Sequence, residues 1–534
     1  MRSVPGVLTL GLLLIAASPA QQTIDPAGVA GARILAGGGK LPDAITKRFV
    51  ALAGGPEAVI ALVPTASIRA DSAESRQSLL QRWQERHPQA EFFVLHTRSR
   101  DEADSDAFCA PLRRTTALWF GGGQQQRLAD TYVGTRFEQE LMAMLGRGGV
   151  VGGSSAGAAI QTRTMIARGN PKPETSRGLD LVPLGIADQH FRQRDRQPRL
   201  LAALAAHPDH FGLGIDEGTA VEVRGRRLSV LGNNRVTLAL AAGGGRPERV
   251  VELQAGQVVD LVTWQRRARD RVLPEWPPAT MAPARVTKGS LMIVGGGRLT
   301  RAVIRRFVEL AGGEDARVVV VTSASGQVPR PGSKAAIERA LAAAGVQHLH
   351  TISCLHPSDV GPEQRQQVAE ATAIWFGGGR QWRLCDAFED TGMVEAFAAV
   401  LTRGGVIGGS SAGATIQGEF LVRGNPLGNR QEWCPGYDRG FGFLPGCAID
   451  QHFVARNRMA DLQGLIAELP QLIGLGIDEA TAALVQGSTL EVLGRSKVAV
   501  YDVRDADAPD RARPEPSWLM PGDRWDLVTG QRLR

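Results

Sequence analysis

The sequence predicts an α/β protein built from two tandem, doubly wound domains with mainly parallel sheets. Length, an internal repeat and the pattern of apolar runs predict it. A chain of 534 residues exceeds one ordinary domain. "ARILAGGGKLPDAITKRFVALAGG" is echoed by "SLMIVGGGRLTRAVIRRFVELAGG", "ALWFGGGQQQRL" by "AIWFGGGRQWRL", and "GLGIDEGTA" by "GLGIDEATA". The offset is 258 at the first glycine loop, 256 at a glycine-serine stretch and 262 from "DQHF" onward, so the repeating unit has the size of a domain. Within each unit, short apolar runs such as "AVIALVP", "EFFVLHT" and "TALWF" alternate with helical stretches, the pattern of a parallel sheet covered on both faces.

In chain order, residues 1–20 carry one Arg, an apolar run from Val7 to Ala17 and the small-residue end Ser18-Pro19-Ala20. They read as a secretory signal peptide cut after Ala20, since the run is short for a bilayer span. A secreted or periplasmic protein is expected, with no membrane association after cleavage. The first domain is expected over 30–270, including a helix in "DSAESRQSLLQRWQERH" capped by Asp71 or Ser72. A Pro-rich linker follows over 271–288, and the second domain over 289–534.

Hydrophobic content of 43% and charged content of 22% suit a globular protein with a real core. The net charge of +7 comes from scattered arginines, only six of the basic residues being Lys. Neither a basic run nor a stacking-aromatic motif accompanies it, which argues against a nucleic-acid partner. Five cysteines make no disulfide framework and show no CxxC spacing, so a zinc cluster is not expected; no cofactor is expected either. Cys434 and Cys447 flank a loop that a disulfide could bridge, and His348 and His350 read as an exposed strand pair.

Gly153-Ser154-Ser155-Ala156-Gly157 and Gly409-Ser410-Ser411-Ala412-Gly413 both match G-x-S-x-G between an apolar strand and a helix. Glycines allow the sharp turn, and the serine is pushed out at a helix N-terminus that favours developing negative charge. A serine hydroxyl needs a base. His190 and His452 are the only histidines at matching positions of the two units. For an orienting acid, the stretch between Ser155 and Arg177 offers only Glu174. The matching stretch offers Glu419, Glu432 and Asp438, of which Glu432 is chosen because Asp438 aligns with Ser176. The amides of Ala156 and Ala412 are expected as oxyanion donors, with a second donor from Gly122 or Gly123 and from Gly378 or Gly379.

The FGGG-x-Q loop, the GGSSAGA turn, DQHF with spaced arginines and the GIDExTA strand together resemble the cyanophycinase/dipeptidase E family of serine peptidases, over nearly all of both units. The resemblance implies a fold like the class I glutamine amidotransferases, a Ser–His–Glu/Asp triad and no metal. It implies a substrate pocket lined by Gln125, Asp188, Gln189, Arg194, Arg196 and Arg199 in the first unit. In the second it implies Gln381, Asp450, Gln451, Arg456 and Arg458. Gln124 and Arg380 depart from the family's usual acidic residue, and Asp461 stands where the third arginine should be.

The activity implied is hydrolysis of aspartate-containing peptides, cyanophycin above all, with release of β-aspartyl-arginine. The alternatives are an Asp-X dipeptidase and a non-catalytic binding protein on the same fold. The partner is a peptide or polypeptide, with a homo-oligomer left open. Because Arg199 and Asp461 occupy one motif position, the two pockets are expected to differ by two charge units. The first should then handle aspartate-bearing substrate better, and the second, with Trp433 and Tyr437 in a longer loop, should favour another peptide or turn over slowly.

Overall fold

The computed structural model describes residues 23–328, 330, 335–505 and 512–534. The expected signal peptide lies outside the described residues. In the first unit the strands are β1 (Val29–Ala36), β2 (Val59–Val63), β3 (Glu91–Val94), β4 (Ala117–Phe120), β5 (Val150–Ser154), β6 (Thr164–Arg168) and β7 (Glu174–Arg177). They continue with β8 (Gly185–Gln189), β9 (Phe211–Ile215), β10 (Thr219–Gly225), β11 (Arg227–Gly232), β12 (Arg235–Leu240), β13 (Arg249–Gln254) and β14 (Val258–Asp260). The main sheet has the order β14-β11-β10-β1-β5-β4-β2-β3, and β13-β12-β9-β8 form a second, smaller sheet.

β3, β2, β4, β5 and β1 run parallel. β10, β11 and β14 add an antiparallel wing beside β1. The strand residues alternate between two cores, as the period of two demands. Ile34, Ile60, Leu62 and Trp119 pack on one face with Phe49 from helix Asp43–Leu52. Leu118, Phe120 and Val151 pack on the other with Leu128, Phe137 and Leu141 from helices Gln125–Tyr132 and Arg136–Gly146. Ser72 caps helix Ala73–Arg86 through a bond from the Ser75 amide.

The second unit repeats this plan. Its main sheet runs His348–Ile352, Arg317–Val321, Ala373–Phe376, Val406–Ser410, Val286–Val294, Thr481–Gly487, Thr489–Gly494, Arg524–Asp526 and Gln531–Leu533. The first of its strands in the chain starts at Val286, inside the stretch read from the sequence as linker.

The echoed segments "VVDLVTWQRR" and "RWDLVTGQRL" fold differently. In the first unit Asp260 caps helix Leu261–Arg269, and Trp264 is buried. In the second the equivalent of Trp264 is Gly530, whose φ of 66° turns the chain into a hairpin. A left-handed residue ends a helix, and glycine takes that conformation without steric cost.

The helix Leu261–Arg269 is what the second unit docks on. Arg266, almost wholly buried, pairs with Asp386 at 2.9 Å and with Glu389, and lies 4.4 Å over the Tyr437 ring. Arg226 reaches from the hairpin of β10 and β11 to Asp260, Asp386 and the Tyr437 hydroxyl. Arg246 bridges Asp270 and Asp438, at 2.7 and 3.1 Å. Two arginines and a tyrosine thus converge on one buried carboxylate, Asp386. Removing one partner of such a cluster leaves buried charges uncompensated, which costs about 3–5 kcal/mol. Asp386→Ala should lower stability by that amount in urea denaturation, and a loss under about 1 kcal/mol, the scale of a surface pair, would rule the cluster out as the clamp between units.

Candidate active site

Each elbow is fixed by its strand. β1 and β5 are parallel, and just past their ends the Ser155 amide donates to the Ala36 carbonyl at 2.9 Å. The chain then reverses, with Ser155 at φ 54°, ψ −112° and Ser411 at φ 57°, ψ −115°. A non-glycine residue there costs on the order of 1–3 kcal/mol and persists only when its surroundings enforce it. Close packing enforces it. A Cβ on Gly153 would lie 2.2 Å from the Gly157 carbonyl oxygen, and one on Gly157 equally close to that of Phe120.

The histidines are held from the same strand end. The His190 amide donates to the Gly37 carbonyl and that of His452 to Gly295, each at 2.7 Å. Both have positive φ, 50° and 51°. The imidazole lies on the glycine loop, because a Cβ on Gly38 would sit 2.3 Å from His190 Cε1, and one on Gly296 equally close to His452. The Ser155 Oγ–Nε2 distance to His190 is 2.9 Å, and that from Ser411 to His452 is 3.0 Å.

The third member differs from the sequence expectation. Glu217, not Glu174, accepts from His190 Nδ1 at 2.5 Å, and Glu479, not Glu432, accepts from His452 Nδ1 at 2.6 Å. Glu174 is exposed on β7 and pairs with Arg168. Glu432 is buried beside Arg423, at 2.8 Å. Burial, with Asp450 and Asp461 nearby, outweighs that arginine and pushes its carboxyl up to about 8. Of the other candidates, Glu419 accepts from the Gly446 amide and Asp438 from Trp433.

Glu217 and Glu479 stand in the repeated "GIDE", each 27 residues beyond its histidine. That equal spacing was the signal; a search confined to the segment between serine and histidine passes it by. The neighbouring aspartates brace the turn after each histidine. Asp216 accepts from the Arg192 amide, and Asp478 from those of Val454 and Ala455.

Gly122 and Gly378 face the nucleophiles, since a Cβ on either would lie 3.5 Å from the serine Cβ. Ala156 and Ala412 open short helices directly after them. First-turn amides of a helix have no partner within it, so these groups can donate to an anion.

Most of the residues expected to bind substrate are occupied elsewhere. The Gln125 side-chain amide donates to the Ile166 carbonyl, and that of Gln381 to Val422 and Arg423. Asp188 is fully buried and taken by Arg199 and Arg196; Asp450 is likewise buried against Arg458. Gln189 and Gln451 are buried beside the histidines, Gln451 accepting from Ser411 Oγ at 3.4 Å. Arg194 and Arg456 remain exposed, with no ion pair among the described residues.

The expected charge asymmetry between the pockets is partly absorbed within the fold. Arg199 neutralises Asp188 in the first unit. In the second, Arg423 neutralises Asp450 and also pairs with Asp461. Arg423 occupies the position of Ala167, as the matching bonds from Gln125 to Ile166 and from Gln381 to Val422 fix the register. Arginine and acid have exchanged origins around one buried aspartate, so Arg423 offsets half of the expected two-unit difference and Asp461 leaves the second cluster one charge more negative than the first. Tyr437 belongs to the contact between units, and Trp433 donates to Asp438. All five cysteines are free and buried, so no bridge joins Cys434 to Cys447.

The Peptidase family S51 model matches residues 34–231 and again 291–493. The chain belongs to peptidase family S51. It carries the family's domain twice and is a serine-type peptidase. It is 31% identical over 222 residues to a cyanophycinase of Geminocystis herdmanii, covering 40% of this chain and 81% of that protein. It is 36% identical over 204 residues to a cyanophycinase of Trichormus variabilis, covering 36% and 67%. A probable alpha-aspartyl dipeptidase of Drosophila melanogaster is 31% identical over 169 residues, covering 28% and 64%. Among solved structures, a peptidase from an acI-B1 Actinobacterium aligns with a TM-score of 0.36 and 22% identity, over 44% of this chain and 98% of that one.

Burial holds His190 and His452 below the ordinary imidazole value. Arg194 and Arg456 act in the same direction, while the glutamates oppose them. The neutral, proton-accepting form therefore persists to lower pH. In a Ser411→Ala background, kcat/KM should rise with a half-point below about 6.5, and Arg194→Gln should move it upward. In that background Glu217→Gln should cut kcat by roughly 10⁴-fold, as when a triad acid is neutralised, while Glu174→Gln stays within about twofold. The reverse ranking would return the role to Glu174.

Proposed function

We propose that both units of this S51 peptidase hydrolyse aspartyl peptide bonds through Ser155–His190–Glu217 and Ser411–His452–Glu479, with cyanophycin as the favoured substrate. The observation that carries the reading is the unbroken Oγ–Nε2 and Nδ1–carboxylate sequence in each unit, at 2.9 and 2.5 Å and at 3.0 and 2.6 Å. Serine Oγ attacks the scissile carbonyl carbon while its proton passes to Nε2. The carbonyl oxygen becomes an oxyanion between the amides of Ala156 and Gly122, or Ala412 and Gly378. The imidazolium, stabilised by the glutamate, then protonates the leaving amine. Water hydrolyses the acyl-enzyme by the same route and regenerates the hydroxyl.

The substrate class rests on the relatives named cyanophycinase and probable alpha-aspartyl dipeptidase. Exposed Arg194 and Arg456 suit substrate carboxylates, for which a guanidinium offers paired donors. Replacing Ser155 and Ser411 together by Ala should abolish release of β-aspartyl-arginine from cyanophycin, by about 10⁴-fold or more. The loss should divide between the single variants. A double variant working at near-parental rate would sink the proposal, and cleavage of Asp-X dipeptides without cyanophycin would move it to the dipeptidase reading.

Export is the second half of the proposal, supported by the apolar run and small-residue end of residues 1–20. An enzyme acting on a large polymer outside the cell has to leave it. N-terminal sequencing of the protein from the periplasm or medium should begin at Gln21, and recovery of the full-length chain from the cytoplasm alone would overturn this.

A further inference from the structure

The two sites open onto spaces of very different size. In the second unit a cavity of about 1470 Å³ is bordered by Gly378 and Ser410, next to the nucleophile. The matching space of the first unit, bordered by Pro64, Ser67, Gly121 and Gly122, is about 410 Å³. The difference has a plain origin. Over the first site lies the 14-residue helix Ala73–Arg86, which fills the space with Ser75, Leu79 and Arg82. Over the second lies the 8-residue helix Ala336–Ala343, which lines the wall with Ala336, Ala340 and Ala343.

The wall of the larger cavity is cationic. Arg298 precedes helix Arg301–Leu310, and Arg301 and Arg305 follow one turn apart on it. All three are exposed, and among the described residues none has an ion pair and no carboxylate lines the cavity. The corresponding positions in the first unit are Lys40, Asp43 and Lys47, and its smaller space carries Glu74 among Arg69, Arg76 and Arg82, so that size and the unbroken cationic wall together set the larger cavity apart. Like charges one helical turn apart repel, so this grouping adds nothing to the fold. Leu299, Ile304, Ile337 and Trp375 give the cavity an apolar backing. Space, apolar backing and unneutralised guanidinium groups beside a nucleophile fit an extended chain that bears several carboxylates.

We propose that this cavity is an extended subsite for an acidic oligopeptide, with Arg298, Arg301 and Arg305 pairing carboxylates flanking the bond presented to Ser411. The Ser411 unit then works on longer polyacidic chains, and the Ser155 unit on short ones. The division of labour rests on the peptidase reading; the binding site itself does not.

The test uses the full chain with Ser155→Ala and Ser411→Ala, so that nothing is cleaved, and a fluorescent ten-residue oligo-aspartate as probe. Anisotropy should show saturable binding that weakens as salt rises. Combined Arg298→Gln, Arg301→Gln and Arg305→Gln should weaken it by about tenfold or more, three partly exposed charge pairs being lost. Lys40→Gln with Lys47→Gln should leave it within about twofold. Unchanged affinity in the arginine variant, or no binding by the parent, would overturn the proposal. Circular dichroism, and the activity of the Ser155 unit when the same arginine changes are made with Ser155 intact, check that the variant folds. Kinetics then separate the two readings. With Ser155→Ala alone, kcat/KM should rise with the number of aspartates and lose that rise in the arginine variant. Binding without cleavage of any aspartyl peptide would defeat the peptidase reading while leaving the subsite standing.

Discussion

Two adjacent carbonyls at the end of one strand organise each site. Ala36 accepts from the Ser155 amide and Gly37 from the His190 amide; Val294 and Gly295 do the same for Ser411 and His452. Nucleophile and base are thereby fixed to a single rigid element, although 35 and 41 residues of chain separate them. That anchoring sustains a positive φ at all four residues, a strain that only an over-determined surrounding can hold. The glycine loop after the strand belongs to the same constraint, because the imidazole occupies the volume where a Cβ of Gly38 would be.

Around this anchor the two units have drifted in ways that keep the buried charges balanced. Asp188 is neutralised from the helix that follows its histidine, by Arg199. Asp450 is neutralised from the chain after Phe420, by Arg423, and the vacated helix position carries an acid that also pairs with Arg423. An unpaired buried carboxylate would be costly, so either arginine alone would be hard to lose without the other in place. Duplication tolerated the exchange because the partner's charge matters more than the element that supplies it.

The contact between units follows the same logic on a larger scale. Repeated sequence became a helix in the first unit and a hairpin in the second, through Trp264 against Gly530. The helix brings Arg266 to Asp386 and Tyr437 in the second unit. The extra residues before His452, which carry Tyr437, are used to seat one unit on the other.

Much of this was legible in the sequence. Repeats and apolar alternation determined the α/β class and the duplication, since burial on both faces of a parallel sheet imposes its own pattern. Gly-rich turns marked Ser155 and Ser411, and coincidence between units marked His190 and His452. The glutamates were legible too, through a constant spacing of 27 from the histidine, but only once chain order was set aside. Tertiary structure alone decided which charges face solvent. Arg194 and Arg199 look alike in "RQRDRQPR", yet one is exposed and the other closes on a buried aspartate. It alone decided that Arg423 answers for Arg199, because that pairing joins segments 27 residues apart. Sequence records which charges are present; their neutralisation depends on distance in space, which only the folded chain sets.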